Sequence, residues 1–184
     1  MNTFTKITRY LSRALIAASL GLLMVGCSTN INEYADTTPE FDMKTFFNGN
    51  LIAYGMVQNR QGKVIRRFHA DLVGSWEGNK GLLEEDFYYD DGETQRRVWN
   101  LEKHGTNKYT GMASDAVGEA AGESNGFAFN WKYTLAIEVD GTTWDIDLND
   151  WIYQIDDSRL INLTQMTKWG FNVGQIALVI EKVE

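Results

Sequence analysis

From Phe41 onward the chain alternates apolar and polar positions with period two. The clearest run is Phe127, Phe129, Trp131, Tyr133, Leu135, Ile137 and Val139, with Ala128, Asn130, Lys132, Thr134, Ala136 and Glu138 between them. A helix repeats every ~3.6 residues and cannot make this pattern, whereas a half-buried strand does. Asp140-Gly141 then supplies a two-residue hairpin turn. Trp144, Ile146 and Leu148 alternate on the return strand, after which the apolar parity shifts to Trp151, Tyr153 and Ile155. That shift predicts a β-bulge near Asn149-Asp150.

The same reading covers the rest of the body. Gln61-Gly62 and Asn79-Lys80-Gly81 bracket a strand through Val64, Phe68, Ala70, Leu72 and Trp76. Asp90-Asp91-Gly92 turns the chain between Phe87-Tyr88-Tyr89 and Val98-Trp99, and residues 160–169 and 175–183 complete the set. A single helical turn fits near 42–47. About nine or ten antiparallel strands with tight turns make a sandwich or a closed barrel. Strand lengths of roughly 10–14 residues favour the barrel, because closure removes exposed edges. The expected fold is all-β, a single antiparallel up-and-down barrel. The stretch 111–126, rich in Gly and Ala, fits a bent strand, a thin wall or a flap beside a portal. A membrane-spanning barrel is disfavoured, since Arg66-Arg67, Glu84-Glu85-Asp86 and Arg96-Arg97 put charge on both faces of their strands.

The N-terminus follows a different rule. Lys6, Arg9 and Arg13 precede an apolar stretch from Ala14 to Met24. A run of about 7–15 apolar residues is a secretory signal, short of the ~20 needed to span a bilayer. It ends in Leu23-Met24-Val25-Gly26-Cys27, which resembles a bacterial lipobox, with Met24 where Leu is usual. Cys27 is the only cysteine of the chain, so a disulfide framework and a multi-Cys metal site are excluded, and acylation of Cys27 is expected. Ser28 after the cysteine resembles the outer-membrane sorting pattern, with the body in the periplasm. The expected organisation is a signal peptide at 1–26, an acylated Cys and flexible polar tether at 27–40, and a β-barrel domain at 41–184.

Composition narrows the function classes. The chain has 17 basic and 25 acidic residues. Residues 1–26 hold three of the basic ones and no acid, so from Cys27 onward 14 basic face 25 acidic residues, a net −11. Nucleic acid is an unsuitable partner. No hydrolase elbow, phosphate loop, zinc-protease motif or dinucleotide fingerprint is present, so no enzyme activity, catalytic residue or cofactor is expected. His69 reads as facing solvent or a rim, and His104 as a turn residue. Asp145, Asp147, Asn149 and Asp156 superficially fit a Ca²⁺ loop. Asp150 stands there where the sharp turn needs Gly, so no metal site is expected. Glu84-Glu85-Asp86 reads as solubilising surface charge.

The aromatic load is the more informative feature. Trp99, Trp131, Tyr133 and Trp151 either fill the barrel or line a cavity for a small apolar molecule. Arg97 shares the parity of Gln95, Trp99 and Leu101. If that face points inward, the guanidinium needs an internal carboxylate or the anionic head of a fatty-acid-like ligand. Lys168, at period two from Met166, is a second cationic candidate.

Several motifs carry a resemblance. Asp91-Gly92 leading to Arg96-Arg97-Val98-Trp99, then Asp150-Trp151-Ile152-Tyr153, Lys168-Trp169-Gly170 and Val173-Gly174 are similar to a family of uncharacterised Gram-negative lipoproteins of lipocalin-like character. The resemblance covers nearly all of 41–182. It implies a calycin-type barrel, no established activity, and a lipid theme through gene neighbours that modify acyl chains. The combined expectation is an outer-membrane lipoprotein anchored through Cys27 that binds or carries a small amphipathic molecule. The alternative is an envelope interaction module with a filled barrel, and an enzyme comes third.

Overall fold

The computed structural model describes residues 29–139 and 141–183. The expected signal peptide, Cys27 and Asp140 of the hairpin turn lie outside the described residues. From Ile31 onward the chain is one compact unit.

The unit is a barrel of ten antiparallel strands: β1 (Gly49–Asn59), β2 (Val64–Glu77), β3 (Lys80–Tyr89), β4 (Thr94–His104), β5 (Lys108–Ala113), β6 (Ala120–Asn125), β7 (Ala128–Val139), β8 (Thr142–Gln154), β9 (Arg159–Lys168) and β10 (Phe171–Lys182). Each strand pairs with its sequence neighbours, and β1 closes the ring against β10 from Leu51↔Lys182 to Asn59↔Gly174. The expected up-and-down barrel is therefore the observed fold. Period-two alternation is what makes it close: Phe129, Trp131 and Leu135 on β7 are buried while Lys132 between them is exposed. On the outside, Arg67, Asp71, Arg96, Lys132, Asp145 and Asp147 interrupt any apolar band. Arg96 is clamped there by Asp86 and Glu84 across β3–β4.

One end of the barrel is plugged. Helix α1 (Met43–Phe46) is a single turn whose N-cap is Asp42, with its carboxylate accepting from the Thr45 amide at 2.8 Å. Asp42 also takes the Tyr109 hydroxyl at 2.9 Å and the Lys103 ammonium. Phe41, Met43, Phe46 and Phe47 are thereby driven into the barrel mouth and buried beside Leu51, Leu72 and Phe129. The Trp76 indole N–H donates to the Phe47 carbonyl at 2.9 Å. Gly74 is required at this point, because a Cβ there would collide with that same carbonyl.

Two expectations change. Residues 31–40 are not a free tether. The short 3-10 turn Ile31–Tyr34 packs Tyr34 against Phe127 at 5.3 Å, Trp151 at 6.0 Å and Tyr153 at 5.7 Å between ring centroids. The Thr37 hydroxyl accepts from the Phe127 amide, and the Phe41 amide donates to the Gly126 carbonyl. A polar sequence hid one aromatic anchor and a set of backbone hydrogen bonds. Second, β8 has no bulge at Asn149-Asp150: its register runs unbroken from Thr142 to Tyr153 against β7 and across Asp150 against β9. The inward parity therefore continues through Ile146, Leu148, Asp150 and Ile152, and Trp151 points outward beneath Tyr34.

Candidate functional site

Above the plug the barrel is hollow. A cavity of about 660 Å³ opens toward the turns that join β1–β2, β3–β4, β7–β8 and β9–β10. Toward the plug it is lined by Met43, Phe47 and Trp131, the last set over Phe129 at 5.7 Å and edge-on to Trp99 at 5.9 Å. The wall beside it is thin because β5 and β6 are short and carry Gly111 and Gly122 there. A Cβ at Gly122 would stand 2.7 Å from the Trp131 ring. The Gly/Ala-rich stretch is thus the place where the wall gives way to a large indole.

The short strands also leave a notch. β4 pairs with β5 only from Trp99 to His104, and β7 pairs with β6 only up to Lys132. The connection 114–119 fills the space, with the Ala136 amide donating to Asp115 and the Val117 amide to Thr134. This delivers the Asp115 carboxylate to the cavity side of β4. Arg97 Nε reaches its two oxygens at 3.1 and 2.9 Å, and Nη2 lies 2.8 Å from Oδ2. Gln95 donates to the same carboxylate at 3.2 Å. On the other side Arg97 Nη1 lies 3.8 Å from Glu85 of β3. Of the two roles open to Arg97, the internal ion pair is the one the structure builds.

Arg97 and Glu85 are both largely shielded, with side-chain exposures of 12% and 14%. Burial pushes the Glu85 carboxyl up to about 7, against the opposing pull of Arg97. Arg97 stays cationic, because Glu85 and Asp115 outweigh the burial that disfavours its charge. Glu85 is thus not surface charge: it shares the inward face of Leu83 and Phe87, while Glu84 and Asp86 face out to Arg96.

A second polar group sits across the cavity. Asp150 of β8 is 5% exposed, and its Oδ2 accepts from Tyr133 and from Asn162, each at 3.3 Å. Thr164, on the same wall, also favours the charged form. Burial lifts this carboxyl to about 6, with the three neutral donors opposing the shift. Tyr133 is itself raised well above its ordinary value, by burial first and then by Asp150.

The predicted site residues separate into two groups. Arg97, Trp99, Trp131 and Tyr133 line the cavity together. Trp151 is on the outer wall, stacked on Tyr153. Lys168 is at the rim, its ammonium 2.9 Å from the Trp144 ring centroid and 4.7 Å from that of Trp169. That rim is markedly apolar for a surface, with Trp169 82% and Phe171 74% exposed. His69 faces outward, stacked on Tyr88. The acidic positions 145–156 spread along β8 and its following turn, and no metal-holding cluster occurs among the described residues.

The fold has solved counterparts. The S-type phycobiliprotein lyase CPES from Guillardia theta superposes with a TM-score of 0.57 at 11% identity, over 85% of this chain and 98% of that one. A second structure, EF1p2_mFAP2b bound to DFHBI, gives 0.43 at 6% identity, over 77% of this chain and 100% of that one. The first likeness establishes the lipocalin-like fold. None of the curated proteins matches the sequence. The match that does extend along the chain is over residues 21–182, and by it the protein belongs to DUF3833, a family of proteins of unknown function.

Proposed function

We propose that this barrel binds a small amphipathic molecule inside its open half, and that an acyl anchor on Cys27 holds it at the outer membrane on the periplasmic side. The observation that carries the binding reading is the cavity itself. Its volume of about 660 Å³ lies within the ~300–1,000 Å³ of ordinary ligand pockets. Aromatic and aliphatic side chains form most of its wall, with polar groups gathered on two sides. Apolar burial of a chain against Trp99, Trp131 and Leu135 supplies the affinity, at about 25 cal/mol per Å² before ordering costs. The polar groups orient the head.

Water-soluble eight-carbon amphiphiles titrated into the full chain in dilute non-ionic detergent are expected to perturb tryptophan emission saturably, because Trp99 and Trp131 line the cavity. Small molecules released from freshly purified protein and identified by mass spectrometry should include an amphiphile. Emission that changes only linearly, together with an empty extract, refutes the binding reading.

The anchor has its own test. Cys27→Ser is expected to abolish acylation and leave the protein as unprocessed precursor. An unmodified Cys27 in wild-type protein refutes the anchor while leaving the cavity untouched. Only Ser28, Thr29 and Asn30 separate Cys27 from the docked turn at Ile31.

One observation favours a second reading, catalysis. Burial lifts Glu85 to about 7 in a sheltered cavity that also holds Asp150 and Tyr133, an environment suited to acid–base chemistry. Recovery of added amphiphiles unchanged after prolonged incubation supports binding. Conversion that Glu85→Gln abolishes supports catalysis.

A further inference from the structure

Two acceptors in the cavity have no donor. Asp150 Oδ1 and Asn162 Oδ1 are fully buried and make no hydrogen bond. Both residues line the cavity and are 5% and 6% exposed. Buried polar atoms of this kind are nearly always satisfied, and leaving one unmet is costly. The two side-chain donors that reach Asp150 are committed to its other oxygen. Asn162 spends its Nδ2 on Asp150 Oδ2, and Tyr133 donates to that same oxygen. The amide orientation is fixed by this bond, since a reversed amide would set its oxygen against the carboxylate.

The charges agree with the hydrogen bonds. The two basic residues of the cavity are already engaged: Arg66 lies 2.7 Å from Asp91 and 2.5 Å from Glu93, and Arg97 pairs with Asp115 and Glu85. The hydrogen-bond partners of Asp150 are neutral, and the nearest cation that acts on it, Arg97, is already paired with Asp115 and Glu85. Acceptors that lack donors and a carboxylate with no ion pair of its own stand on one wall.

We propose that the cavity selects a cationic, hydrogen-bond-donating head, such as an alkylammonium, seated against Asp150 Oδ1 and Asn162 Oδ1. This rests on the binding reading above and reverses the sign of head group that Arg97 alone implied. An ammonium has donors for both oxygens and supplies the missing positive charge. A carboxylate head at this wall would meet two acceptors and a like charge, and both guanidinium groups of the cavity are already ion-paired, although Arg66 Nε, 2.7 Å from Asp91, makes no hydrogen bond of its own.

The test compares octylammonium, octanol and octanoate at mildly alkaline pH, on the full chain in one fixed non-ionic detergent, followed by tryptophan emission. Octylammonium is expected to bind at least about tenfold more tightly than either of the others, the usual margin of a charge-assisted over a neutral hydrogen bond. Asp150→Asn is expected to remove most of that margin, because it takes away the charge and turns the free acceptor into an amide donor. If the variant fails to fold, the order of the three ligands on wild type still decides. Octylammonium binding no more tightly than octanol or octanoate overturns the proposal and leaves the binding reading standing. If none of the three binds, the binding reading falls, and the proposal with it.

Discussion

Trp131→Asp is expected to leave no stably folded barrel. Trp131 is 5% exposed, stacked over Phe129, edge-on to Trp99, and backed by Gly111 and Gly122 where the wall is thinned to receive it. Truncating a buried Trp costs about 3–5 kcal/mol through lost transfer energy and the cavity left behind. The new carboxylate has no cation to spare on that wall, and an unpaired buried charge adds several kcal/mol more. The sum matches the ~5–15 kcal/mol that hold a typical domain together. Lys132→Asp, one residue along on the exposed face, is expected to change stability by less than about 0.5 kcal/mol. Urea unfolding followed by far-ultraviolet dichroism compares the two. Equal tolerance of both substitutions would contradict the inward assignment of the odd-numbered face of β7.

The contrast between those neighbours shows what kind of information the sequence held. Alternation is a local signal: on β7 it placed Phe129, Trp131 and Leu135 on the buried face, and on β4 it grouped Gln95, Arg97, Trp99 and Leu101 on one face, which the closed barrel turns inward. It failed where a polar residue occupies an inward position. On β8 the burial of Asp150 broke the apolar pattern, and the break was read as a bulge that moved Trp151 inside and Asp150 out. Strict period two from Trp144 would have placed Asp150 in the cavity, as it would have placed Glu85 between Leu83 and Phe87. Asp115 is different in kind. It lies in a connection rather than a strand, and reaches Arg97 only because β5 and β6 stop short and the chain fills the notch. No spacing in the sequence encodes that meeting. The same holds for Tyr34, whose docking on Phe127, Trp151 and Tyr153 depends on rings brought together by the closed barrel. The site was thus half legible: its cation and its aromatic walls, but not the carboxylates that decide its sign.

Removing that cation should be costly in a way that depends on pH. Arg97→Met keeps much of the side-chain volume but leaves Glu85 and Asp115 facing one another, with Asp150 across the cavity. Breaking a buried pair by deleting one partner costs about 3–5 kcal/mol. In wild type the folded state raises Glu85 from 4.5 to about 7 and Asp150 from 3.8 to about 6. Between those values the folded protein holds protons that the unfolded chain has released. Stability from these two groups is therefore fully present below their unfolded values, near pH 4, and is lost as pH rises toward 7. Loss of Arg97 takes away a charge that holds both carboxyls down, so in Arg97→Met they rise further, and the decline steepens and extends to higher pH. The variant's deficit against wild type is thus expected to be largest near about pH 8 and smallest near about pH 5, where protonation neutralises the stranded carboxylates. Adding Asp115→Asn should recover a substantial part of the loss at the higher pH, because a neutral buried arrangement is often as stable as the ion pair it replaces. Urea midpoints of the single and double variants at the two pH values test this. A deficit that is the same at both, or one that Asp115→Asn does not relieve, means that Arg97 is held by its packing under Phe87 and not by its charge, for the guanidinium carbon also lies 5.5 Å from that ring centroid.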